Sequence, residues 1–214
     1  MPSLDTLINA FVTLFVTIDP IGTAPIFLGL TAGMTRPARR AVVLRGVLVA
    51  SLVLLLFAFT GTGILDTLGI TINAFRVAGG LLLFYTAFEM LYAKRQERKV
   101  QLSEAALRDH IANLAVFPLA IPLLAGPGAI SATIILSSQL SGSGGGHWAG
   151  AGLLSLIILL LMGVAGVLLM AADVVDKYLG NTGRMVLTRL LGVLLAALSV
   201  QYVADGIHGL ISGQ

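Results

Sequence analysis

Six long apolar segments run along the chain, at roughly 6–31, 41–63, 71–93, 112–138, 148–172 and 185–210, with short polar stretches between them. Each reaches or exceeds the roughly 20 residues that a helix needs to cross the hydrocarbon of a bilayer. Ala41 to Gly63 holds a single charge, Arg45, and Gly150 to Ala172 holds none. The pattern predicts an all-α membrane protein of six transmembrane helices. GSGGGH, Gly142 to His147, reads as a flexible turn between the fourth and fifth. The one long polar stretch is KRQERKVQLSEAALRDHI, 94–111. It reads as a solvated cytoplasmic connector, within which SEAALRDHI can open a short interfacial helix capped by Ser103.

Charge adds an orientation to this picture. Arg36, Arg39 and Arg40 follow the first span, Lys94, Arg95, Arg98, Lys99 and Arg108 the third, and Lys177 and Arg184 the fifth. The 64–70 and 139–147 loops and both tails carry no Lys or Arg. By the positive-inside rule the basic loops face the cytoplasm and both termini face outward. Composition agrees with the class: 57% of residues are hydrophobic and 11% charged, against about 25% charged in soluble chains. A pI of 9.6 therefore reports loop orientation, and no nucleic-acid partner is implied. The absence of cysteine excludes disulfides and thiolate metal sites. MPSLDTLINAF has no basic n-region and reads as the start of the first span.

The chain also reads as two related halves, 1–93 and 112–214, joined by the 94–111 connector. Asp19-Pro20-Ile21-Gly22 in the first span corresponds to Gly126-Pro127-Gly128 in the fourth. Arg76 precedes Gly79 by three residues in the third span, as Arg189 precedes Gly192 in the sixth. Three spans per copy is an odd number, so the second copy starts on the opposite side of the bilayer. The result is a pair of inverted-topology three-helix repeats, an architecture used mainly by secondary transporters, whose binding sites lie at paired Pro/Gly-interrupted spans.

Those interruptions set the candidate site. Pro20 cannot donate a backbone hydrogen bond and clashes with the preceding turn, while Asp-Pro suits a new helix start, with Asp19 as cap and Pro20 in the first position. The first span is expected as two half-helices, about 6–17 and 20–31, and the fourth likewise, broken at Gly126-Pro127-Gly128, with the breaks at the bilayer midplane. Two helix N-termini then offer free N–H groups and partial positive charge to a carboxylate. Bare carbonyls near Thr17, Ile18, Leu124 and Ala125 face an ammonium or a cation. One small zwitterionic amino acid satisfies both sets. Thr17, Thr23, Ser131 and Thr133 are hydroxyl donors within reach. Asp19 has two compatible roles, as a cap that holds the break and as a titrating group that carries a coupling proton. Arg76 and Arg189 either snorkel to headgroups or turn into the bundle, where Arg76 can bind a substrate carboxylate. Glu89 and Asp205 read as interfacial. His110, His147 and His208 stand in no metal or nucleophile spacing.

IDPIGTAPIFLGLT, AFRVAGGLLLF and PLAIPLLAGPGAIS resemble the signature stretches of the MarC family of bacterial and archaeal inner-membrane proteins. The resemblance runs over essentially the whole chain. The family is grouped with small transporters related to amino acid exporters, and some members move neutral amino acids such as glycine and alanine. The resemblance implies a substrate site at Asp19–Thr23 and Gly126–Ser131. Taken with the residues above, it implies alternating-access transport of small neutral amino acids across the inner membrane, with Thr17, Asp19, Pro20, Gly22, Thr23, Arg76, Gly126, Gly128 and Ser131 as substrate-binding residues. Coupling is to protons carried by Asp19 or to sodium held by carbonyls, and no other cofactor is implied. A channel or a non-transporting accessory subunit in the lipid bilayer is the alternative. An enzyme is not expected, because Ser131 has no His or Lys at comparable depth and Asp19 no carboxylate partner. Nothing in the pattern sets an oligomeric state.

Overall fold

The computed structural model describes residues 3–92, 94–108, 113–142 and 146–212. His110, within the connector, and 143–145 of the expected glycine-rich turn lie outside the described residues, as do the side chains of Ser103 and His147. The first span is α1 (Leu4–Ile18) followed by α2 (Pro20–Leu30), with Asp19 alone between them. Next come α3 (Arg36–Thr67), α4 (Ile72–Leu91) and α5 (Lys94–Arg108). An irregular proline segment, Ala115–Leu124, precedes α6 (Pro127–Gly142), and α7 (Gly146–Met170) and α8 (Ala172–Ile211) complete the chain. No strand occurs among the described residues.

Side-chain caps set some of the boundaries. Ser3 accepts from Thr6 N at 3.2 Å to open α1, and Thr71 accepts from Ala74 N at 3.2 Å to open α4. Inside α8, Gly180 has φ 58° and ψ −176°, a conformation that only glycine reaches readily. Among the described residues, five stretches are long and apolar enough to cross a membrane: Leu4–Leu30, Arg36–Thr67, Ile72–Leu91, Trp148–Met170 and Thr182–Ile211. The proline segment and α6 make a sixth if taken as one span, with a bend of 57° between them.

Two expectations change here. The first part of the fourth span is no α-helix. Its prolines hold the residues before them extended, Phe117 at φ −127°, ψ 126° and Ile121 at φ −124°, ψ 121°, as the ring of a following proline demands. The connector is not simply solvated. It forms α5 from Lys94 onward, well before Ser103, and Arg95 and Lys99 on it are buried.

The core gathers Leu14 and Ile18 of α1, Phe27 of α2, Leu54 of α3, Leu83 and Met90 of α4, Leu119 and Leu124, Ile135 and Leu136 of α6, Ile158 of α7 and Tyr202 of α8. α4 packs along α8, α3 along α7, and α6 against α1, α3, α4 and α7. The outward faces are apolar as well. Leu44, Leu48, Leu52 and Leu56, four residues apart on one face of α3, are all exposed. A belt of this kind faces lipid.

Candidate functional site

Asp19 ends one helix and starts the next. Its backbone is left-handed, at φ 53° and ψ 60°, a region that Asp tolerates better than most residues because its short polar side chain bonds locally. Its N–H closes α1 on Phe15 O at 3.0 Å. Its carboxylate caps α2 by accepting from Gly22 N at 3.0 Å, and Pro20, at the first position, has no N–H to leave unpaired. The expected anion-binding N-terminus of α2 is thus filled by the chain's own carboxylate.

The oxygens expected to face a cation are filled too, from α5. Lys99 Nζ lies 3.0 Å from Asp19 Oδ2 and donates to Thr23 Oγ1 at 3.0 Å. Arg95 Nη2 donates to Thr17 O at 2.5 Å, and Arg95 Nε lies 3.7 Å from Asp19 Oδ2. Asp19, Lys99 and Arg95 are only 2%, 5% and 6% exposed, so the cluster is screened from water and its pairing matters. Burial pulls the Lys99 ammonium from 10.5 down to about 8, with Asp19 opposing and Arg95 and Arg98 reinforcing the fall. Burial likewise lowers the Arg95 guanidinium, again against Asp19. A second pair, Arg98 Nη2 to Glu89 Oε2 at 3.0 Å, ties α5 to α4.

Beside this cluster lies a cavity of about 230 Å³, lined by Thr17, Thr86, Arg95, Arg98, Lys99, Leu102, Pro122, Leu123 and Gly126 to Ala129. It lies where the α1–α2 junction meets the start of α6. The first-turn amides of Gly128 and Ala129 have no acceptor among the described residues. Arg95 Nη1 is buried without a hydrogen-bond partner. Unpaired helix-start amides on a cavity that Arg95 also lines suit a carboxylate. The volume falls below the roughly 300–1,000 Å³ of sites for drug-sized ligands, so the ligand it fits has few heavy atoms.

Of the expected site residues, Thr17, Gly126 and Gly128 line the cavity, while Asp19, Pro20, Gly22 and Thr23 form the capped junction behind it. Thr17 and Thr23 are not free donors: their hydroxyls donate to Thr13 O at 2.7 Å and Asp19 O at 2.8 Å. Thr133 likewise donates to Ala129 O at 2.7 Å. Ser131 is buried toward Gly79 of α4, away from the cavity lining. Arg76 is ten residues before Thr86 on α4, about 15 Å along the helix, and lines a different cavity. Arg189 is exposed, as is Asp205, but Glu89 is buried against α5. A lysine does reach the depth of Asp19. Its helix spacing was visible in the sequence, since Arg95, Lys99 and Leu102 fall on one face of a helix that starts at Lys94.

The model of the family described as "MarC family integral membrane protein" matches residues 4–211. A UPF0056 membrane protein of Methanocaldococcus jannaschii is 40% identical over 210 residues, covering 98% of this chain and 90% of its own. The UPF0056 membrane protein YhcE of Escherichia coli is 36% identical over 206 residues, covering 95% and 92%. YvbG of Bacillus subtilis, another UPF0056 membrane protein, is 32% identical over 211 residues, covering 95% of both chains. No solved structure matches significantly.

Proposed function

Because the chain belongs to the MarC family of integral membrane proteins, we propose that it is a secondary transporter of small neutral amino acids such as glycine and alanine, working by alternating access in the cell membrane. The observation that carries the reading is the small cavity between the α1–α2 junction and the start of α6. There, groups for a carboxylate lie next to a buried Asp19 whose cation partners come from a separate helix. The substrate carboxylate takes the Gly128 and Ala129 amides and the guanidinium of Arg95, which lines the same cavity. Its ammonium displaces Lys99 from Asp19, trading one charge-assisted contact for an equivalent one.

The inverted-repeat reading is part of this proposal. It is supported by the packing of α3 along α7 and α4 along α8, elements that correspond between the two halves. Alternating access is then a movement of one copy against the other around the cavity. The basic loops, α5 included, face the cytoplasm, and both termini face outward. A coupling proton or sodium ion has to compete with Lys99 and Arg95 for the same oxygens of Asp19 and Thr17, which ties ion entry to release of α5.

Uptake of labelled glycine and alanine into proteoliposomes, with a proton or a sodium gradient imposed, tests the reading. Saturable accumulation driven by one gradient is the expected result and names the coupling ion. Flux that rises linearly without saturation marks a channel. No flux under either gradient sinks the amino acid reading.

A further inference from the structure

A second cavity lies where α1 and α4 begin and where α6 and α8 end. It measures about 520 Å³ and is lined by Asp5, Thr6, Asn9, Arg76, Gln139 and Asp205. Every lining residue is polar, in a chain that is 57% hydrophobic, and both charge signs are present. Arg76 is held by Asn73 Oδ1, 3.3 Å from Nη1, while its Nε is buried with no hydrogen-bond partner. Such a set faces a ligand with a negative and a positive end.

The floor of this cavity continues inward as one polar face of α1. Asn9, Thr13 and Thr17 recur every four residues and so align on one side of the helix, spanning about 12 Å. Asn9 Oδ1 accepts from Thr13 Oγ1 at 3.0 Å and from Tyr202 OH at 3.3 Å, and the Thr13 and Tyr202 hydroxyls are 3.4 Å apart. Thr17, whose hydroxyl bonds Thr13 O, lines the inner cavity. Thr13 and Tyr202 are fully buried. Polar side chains turned into a membrane bundle are costly and mark the paths of ions and substrates.

We propose that the cavity at Asp5, Arg76 and Asp205 is a second binding site for the same small zwitterion, the outer mouth of the route, and that Tyr202 with Asn9 and Thr13 is the closed gate between it and the inner cavity. Arg76 takes the carboxylate, and the aspartates take the ammonium. The proposal rests on the transporter reading.

The chain has no cysteine, so single cysteines report on the route in the full protein without background. Gln139→Cys reports the outer cavity, Thr13→Cys the gate and Thr86→Cys the inner cavity, each read as the rate of modification by a membrane-impermeant thiol reagent. Folding is checked by a monodisperse elution profile. Gln139→Cys is expected to react at least tenfold faster than Thr13→Cys from the side of the N-terminus. Adding Tyr202→Ala is expected to raise the Thr13→Cys rate at least tenfold. Glycine is expected to slow modification of Gln139→Cys, and Arg76→Gln to abolish that protection while Arg76→Lys keeps part of it. Equal rates at Gln139→Cys and Thr13→Cys, or no response to Tyr202→Ala, overturn the gate. Glycine protection at Thr86→Cys but not at Gln139→Cys overturns the outer site and leaves the inner one standing. Protection at neither overturns both, together with the amino acid reading beneath them.

Discussion

Asp19 concentrates three demands in one side chain: it terminates α1, caps α2 and balances two buried cations. Asp19→Asn keeps a cap oxygen but leaves Lys99 and Arg95 without their counter-charge. Breaking a buried pair in this way costs about 3–5 kcal/mol, so a clear drop in melting temperature in detergent and loss of glycine uptake are expected. Adding Lys99→Met removes one orphaned cation and is expected to recover part of that stability. Strict additivity of the two substitutions in a double-mutant cycle sinks the contact. The glycines on either side of the site differ in tolerance. A Cβ on Gly22 falls against both Asp19 carboxylate oxygens and the Gln96 amide, whereas one on Gly128 meets Thr86 Oγ1 at 3.3 Å and Leu83 Cδ2 at 3.7 Å. Gly22→Ala is expected to cost about 1–3 kcal/mol through overpacking and to loosen α5. Gly128→Ala asks the Thr86 hydroxyl to shift slightly and is expected to cost less than Gly22→Ala, and a larger side chain there should fill the cavity. Melting curves and glycine affinity for the three variants check this contrast.

At the scale of elements, α5 is the part that hydropathy alone misplaces. It is too polar to count as a span, yet it packs on α2, α4 and the proline segment and delivers Arg95 and Lys99 into the protein. The charges facing Lys99 are Asp19 from the α1–α2 junction and Arg95 and Arg98 from its own helix, with Glu89 of α4 acting on Arg95. The Lys99 value falls on folding from 10.5 to about 8. Between those limits the unfolded chain holds a proton that the folded chain has released, so this group makes stability rise with pH across that window. Melting temperatures of wild type and Lys99→Met from pH 7 to 10 test the sign. Their difference should narrow as pH climbs past 8 if the mutant gains by losing the buried charge, and a constant difference contradicts the assignment. The proline segment is the other irregular element. Pro118 and Pro122 each remove a donor and bias the preceding residue to extended backbone, and Pro122 lines the cavity at the α6 start.

The whole molecule is apolar outside as well as in its core, with polar groups gathered at two cavities and along one face of α1. Exposed leucines on α3, for instance, continue the apolar belt of α4, α7 and α8. Leu52→Lys, at the centre of that face, is expected to cost about 2.5–3.5 kcal/mol of insertion on a translocon scale. A glycosylation-mapping assay reads this directly, and unimpaired insertion contradicts a lipid-facing α3. The two cavities lie about 15 Å apart along α4, measured from Arg76 to Thr86, one between the α1–α2 junction and α6 and one at the start of α4. The face of α1 that connects them was legible only in hindsight, since Asn9, Thr13 and Thr17 are unremarkable as single residues. Arg76 was legible as a charge that either snorkels or turns into the bundle, and the structure leaves it half-buried on a cavity the sequence did not show. Sequence spacing places it on a helix, and only the packing of α4 against α8 decides which cavity it lines.

By itself the sequence determined what depends on neighbours along the chain. Membrane class follows from runs of apolar residues, and the helix boundary at Asp19 follows from Asp-Pro chemistry, because both are local. The cap of Asp19 on Gly22, three residues away, belongs to the same class. The tertiary structure decided which charges meet. Lys99 and Asp19 are 80 residues apart, and nothing local to either specifies the other. The same holds for Arg95 on the Thr17 carbonyl and for Tyr202 against Asn9 and Thr13. Burying a charge is costly unless it is paired, so the sequence requires that Asp19 find a partner in the bundle. Which cation answers is settled by where α5 docks, and docking is a property of the packed helices.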